Sequence, residues 1–100
     1  MKEIGEIIEQ LLKERNMWNR VQEFSLLEAW ETIVGERIGS VSRARNISKG
    51  ILKVEVADST WVYHLNLLKP RLIKQLNEHA QKKLVKDIIF QIGEVEKQEK

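Results

Sequence analysis

The segment from Asp58 to Ala80 constrains the fold more than any other part of the chain. Asp58-Ser59-Thr60 offers short side-chain oxygens that accept from the free amides of a helix's first turn. Trp61, Leu65, Leu68, Leu72, Leu76 and Ala80 then follow at three- and four-residue spacing. The stripe covers about five helical turns, and no sheet register can carry it. Immediately before it, Leu52, Val54 and Val56 alternate with Lys53, Glu55 and Ala57, which is the period of a strand with one apolar face. An apolar sheet face cannot stay wet, so the stripe predicts a helix lying across a sheet. Pro70 stands inside it, removes one backbone donor and crowds the preceding turn. A kink near residues 66–70, or two abutting helices, is therefore expected.

The remaining elements arrange themselves around that pair. Residues 2–15 read as a helix with Ile4, Ile7, Ile8, Leu11 and Leu12 on one side, and Asn16 as its exit. Met17 and Trp18 would fold back onto that stripe. A second helix is predicted from Val21 to Val34, burying Phe24, Leu27, Trp30, Ile33 and Val34, with Leu26 flanking. Gly35 ends it, because glycine takes a left-handed exit without penalty. Gly35-Glu36-Arg37-Ile38-Gly39 then makes a tight passage into a weaker strand, Ser40 to Ile47. Ser48-Lys49-Gly50 supplies a hairpin turn into the strand Ile51 to Ala57, and Val85 to Ile92 supplies a last strand. The expected fold class is α+β, in the order α-α-β-β-α-β. Its small mixed three-stranded sheet is covered on one side by helices. Residues 1–93 form the single domain, and 94–100 a charged C-terminal tail.

A length of 100 residues fits one domain. The absence of cysteine excludes disulfides, a thiol nucleophile and cysteine-ligated metal. No apolar stretch reaches the roughly 20 residues that cross a bilayer, and the start lacks a signal peptide's basic-then-apolar plan. A cytoplasmic location is expected. The net charge of +2 hides an asymmetry: residues 1–35 carry seven acids and four bases, whereas residues 37–86 carry eleven bases and three acids. Such a region attracts polyanions over a Debye length of about 8–10 Å, and it also occurs as a merely solvated face.

No motif carries catalysis. His64 and His79 stand fifteen residues apart and do not converge as metal ligands. The carboxylate pairs Glu3/Glu6, Glu6/Glu9 and Glu28/Glu31 fall on outward helical faces, where water keeps both members ionised. There is no nucleophile elbow and no phosphate-binding glycine loop. No cofactor is expected. Trp30 and Trp61 read as core, and Trp18, in a connection, is open to either packing or exposure. Tyr63 points away from the leucine stripe and is the aromatic best placed for stacking or contact. The basic candidates for holding phosphates are Arg43, Arg45, Lys49 and Lys53 around the hairpin, and Lys69, Arg71 and Lys74 on the long helix. Lys82, Lys83 and Lys86 form a further cluster, and whether the clusters share a face is left open by the sequence.

The succession Trp30-x-x-Ile33-Val34-Gly35, Gly50-x-Leu52-x-Val54-x-Val56, Ser59-x-Trp61-x-x-x-Leu65, Leu76-Asn77 and Ile88-x-Phe90-x-x-Gly93 resembles the DciA family over about residues 5–93. The resemblance implies a domain similar to the K-homology fold. It also implies a non-enzymatic role in bacterial chromosome replication, in association with the replicative helicase DnaB, and binding to single-stranded or forked DNA. It places the family's architectural positions on Trp30, Gly35 and Trp61. Two departures limit it. Longer members carry a flexible basic extension, whereas seven residues follow Gly93 here. Gly35 and Gly39 enclose three residues, so the Gly-x-x-Gly grip of true K-homology domains is not carried over. The alternative reading is a protein-interaction module whose contact, through a residue such as Tyr63, does not depend on DNA.

Overall fold

The computed structural model describes residues 4–95, the side chain of Leu12 excepted. Its elements are α1 (Ile4–Val34), α2 (Glu36–Gly39), β1 (Ser42–Ser48), β2 (Ile51–Val56), α3 (Ser59–Ala80) and β3 (Asp87–Ile92). The fold is mixed α+β in the expected order, but its first two helices are not the expected ones. Residues 4–34 form one unbroken helix of 31 residues, and the second helix is the single turn 36–39. Asn16 does not end a helix, because nothing from Asn16 to Arg20 forbids helical backbone: there is no glycine and no proline. Met17 and Trp18 consequently do not fold back, and both stay exposed. Gly35 does end the helix, with φ of 95°, and its amide still closes onto the Glu31 carbonyl at 2.9 Å. No neighbouring atom would meet a side chain there, so backbone conformation alone asks for glycine.

The sheet has the order β1-β2-β3. β1 and β2 pair antiparallel, and β2 and β3 pair parallel with Leu52 opposite Ile88 and Val54 opposite Phe90. Lys49 and Gly50 both have positive φ, 53° and 81°. That is the backbone of a two-residue hairpin turn whose twist suits the flanking strands. The β1–β2 register shifts between Ala44 and Asn46, so Arg45 sits in a bulge.

One face of the sheet is dry. Leu52, Val54, Val56, Ile88 and Phe90 pack there against Leu26 and Trp30 of α1 and Leu65, Leu72 and Leu76 of α3. Phe24, expected in this core, is exposed instead. It lies on nearly the opposite side of the helix from Leu26, and Leu26 with Trp30 sets the buried face. The buried Trp30 donates from Nε1 to Ser42 Oγ at 2.9 Å, and the Ser42 hydroxyl donates to the Ile38 carbonyl at 2.6 Å. This relay ties α1, α2 and β1 together.

α3 runs through Pro70 without a break. Pro70 and Asn66 both lie on the exposed side, where water can satisfy the carbonyl that the missing amide leaves behind. Asp58 caps the helix, its Oδ1 accepting from the Trp61 amide at 2.9 Å. Replacing Asp58 with alanine should lower stability by about 1 kcal/mol, read as a shift in the urea unfolding midpoint at constant slope. At the other end Gln81 takes the left-handed position, and Asn77 fastens the loop that follows. Its Oδ1 accepts from the Leu84 and Val85 amides at 3.1 and 2.8 Å, and its Nδ2 donates to the Val85 carbonyl at 3.0 Å.

Candidate nucleic-acid interface

Among the described residues, no helix covers the second face of the sheet. Strand alternation places Ser48, Ile51 and Asp87 in one row across it, Asn46, Lys53 and Ile89 in the next, and Arg43, Glu55 and Gln91 in the last. Lys53, Ile51 and Ile89 are all exposed. A cation flanked by two accessible aliphatic side chains suits a strand that presents both phosphates and base faces.

The basic residues named from the sequence divide into three groups. Lys49, at the hairpin turn, and Lys53, on the open face, are exposed and form no ion pair among the described residues. Arg43 is exposed on the same face, with Glu55 as its cross-strand neighbour. Arg45 is engaged: its Nε donates to Glu55 Oε1, and its Nη2 reaches the Glu94 carbonyl at 3.3 Å. Beyond Glu94 and Val95, the expected charged tail lies outside the described residues.

On α3, Lys69 Nζ lies 3.2 Å from Asp87 Oδ1. Asp87 also accepts from the Ile88 amide at 2.8 Å. That amide first, and the Lys69 ammonium second, hold the Asp87 carboxyl below its ordinary pKa. A lowered value means the pairing contributes above the usual carboxylate range and is lost as pH falls through the lowered pKa. Arg71 and Lys74 are exposed on the part of α3 turned away from Leu65, Leu72 and Leu76, hence away from the sheet. Arg71 and Lys74 thus share no face with the hairpin cations.

One member of the last lysine cluster does join the hairpin. The Lys86 amide donates to the Gly50 carbonyl at 2.7 Å, and its side-chain stem lies against Gly50. The pairing thereby sets Lys86 beside the Lys49–Gly50 turn, while Lys53 stands in the middle row of the open face. Sequence spacing could not supply this, since the parallel pairing of β2 with β3 brings residues 50 and 86 together. Lys82 goes elsewhere and donates to Asn19 Oδ1 on α1. Tyr63 is 69% exposed on the outer side of α3, and Trp61 is half-buried with its ring edge-on to His64 at 5.5 Å. Among the described residues no group of three or more histidine, aspartate or glutamate side chains is placed to hold a metal ion, and no helix is long and apolar enough to cross a membrane.

These features define a small α+β domain with one dry sheet face and one open face, which carries Arg43 and Lys53 beside Glu55 and Asp87 and has Lys49 and Lys86 at its hairpin end. The chain belongs to the DciA family: the model of the family described as "Dna[CI] antecedent, DciA" matches residues 3–90. It is similar to a UPF0232 protein of Mycolicibacterium smegmatis, 25% identical over 73 residues. UPF0232 proteins of Mycobacterium ulcerans and Mycobacterium marinum are each 23% identical over 73 residues. The matches cover 73% of this chain but only 38% of the first relative and 39% of the other two. The chain therefore spans well under half the length of these relatives.

Proposed function

We propose that this protein is a non-enzymatic accessory of the replicative helicase DnaB in DNA replication, and that it binds single-stranded or forked DNA. Arg43, Lys49, Lys53 and Lys86 hold the phosphates, and Ile51 and Ile89 lie under the bases. The observation that carries the reading is the open sheet face, with Lys53 in its middle row, Arg43 in its last row, and Lys49 and Lys86 at the hairpin end. Family membership supports the helicase association. Arg45 plays a smaller part than its sequence position suggests, because Glu55 already neutralises it. Lys69 is likewise held by Asp87.

A second reading, contact with a protein partner independent of DNA, is favoured by Tyr63 and Leu67. They stand exposed one turn apart on the outer side of α3, at 69% and 63%. Arg71 and Lys74 belong to that surface rather than to the DNA site. Fluorescence anisotropy against single-stranded, duplex and forked DNA across a salt series tests the first reading. Binding should weaken as salt rises, with a log–log slope of about 0.7 for each single-strand phosphate neutralised. Absence of binding at low salt, with a helicase complex that depends on Tyr63 and Leu67, would overturn it in favour of the second.

A further inference from the structure

The first five turns of α1 hold an apolar stripe that the domain does not cover. Ile8, Leu11, Trp18 and Val21 are 51%, 55%, 61% and 57% exposed, and they share one side of the helix. The molecule extends 62 Å along its longest axis against 23 and 20 Å across. Its radius of gyration of 16.5 Å exceeds the roughly 13 Å of a compact 100-residue domain. A helix shelters such a stripe by packing it against something.

The stripe has a symmetry that identifies the occupant. Glu14 and Arg15 sit at its middle, beside Ile8, Leu11 and Trp18. Counting outward from the Glu14–Arg15 midpoint, Leu11 and Trp18 are equidistant, and so are Ile8 and Val21, whereas Ile7, also exposed on this side, falls opposite Gln22. Two copies related by a two-fold axis through that midpoint lie antiparallel. Each Glu14 then meets the other copy's Arg15, each Leu11 meets a Trp18, and each Ile8 meets a Val21. An isologous contact requires such self-complementarity. A parallel pairing would set Glu14 beside Glu14 and Arg15 beside Arg15. The antiparallel arrangement also opposes the two helix dipoles. Ser25, where the partner's first turn would arrive, is exposed.

We infer that this protein forms an antiparallel homodimer through residues 8–21 of α1, centred on reciprocal Glu14–Arg15 pairs. Sedimentation equilibrium of the full chain, with charge variants at these two exposed positions, tests it. The native chain dimerises. Glu14→Arg and Arg15→Glu each place four like charges at the centre and weaken the dimer by more than about tenfold. The double exchange E14R/R15E restores the native affinity, and so does mixing the two single variants. Circular dichroism of each variant confirms that the helix content is retained. A native chain that stays monomeric at hundreds of micromolar concentration overturns the inference, even if the stripe then binds a different protein. A dimer indifferent to the single reversals, or not rescued by the exchange, overturns the antiparallel register.

Discussion

Replacing Trp30 with alanine should lower the free energy of unfolding by about 3–5 kcal/mol, a large part of what a domain this small possesses. Trp30 is 3% exposed, and its indole fills the junction of α1 with the sheet. The loss combines a cavity with a broken relay, because Nε1 no longer satisfies Ser42 Oγ. Ser42→Ala separates the two terms. It keeps the packing, leaves the indole N–H buried without an acceptor, and should cost about 1–3 kcal/mol. Urea unfolding followed by circular dichroism reads both. A Trp30→Ala effect below about 1 kcal/mol would show that α1 is not anchored as described.

That junction was only partly legible in the sequence. The spacing of Leu65, Leu72 and Leu76, and the alternation of Val54 and Val56, fixed the helix-over-sheet layers, because both periods are local properties. Trp30 stood out as apolar, but its partner Ser42 lies twelve residues away on a strand with little apolar regularity. The break expected at Asn16 failed for a different reason. Apolar residues of 4–34 drift around the helix, and a drift reads as two stripes whether or not the backbone is interrupted. The stripe in the first half is exposed, so burial did not force it into register with Leu26 and Trp30. Asn77 is a polar residue in a helix by its sequence, and only the loop folding back over it makes its three hydrogen bonds apparent.

Joint reversal of Lys49, Lys53 and Lys86 to glutamate should have the largest effect on DNA binding. Three lost phosphate contacts lower the salt slope by about 2 and reduce affinity by about a hundredfold near 50 mM salt. Replacing Arg45 and Glu55 together with glutamine should change affinity by less than about threefold, since the two charges already neutralise each other and exposed pairs are worth little. Reversal of Arg71 and Lys74, on the far side of α3, should leave the slope unchanged. Circular dichroism guards against a folding defect, which none of these exposed positions should produce. The candidate set drawn from the sequence thus splits by topology. Strand pairing brings Lys86 to the Lys49–Gly50 turn, the bulge turns Arg45 onto Glu55, and the helix carries Arg71 and Lys74 away.

Backbone amide chemical shifts, recorded while a short single-stranded oligonucleotide is added at low salt, test most directly whether the uncovered strands receive DNA. Shifts should concentrate on residues 49–53 and 86–91 and fade as salt is raised. Perturbations confined to the stretch 63–74, or none at all, would contradict the account.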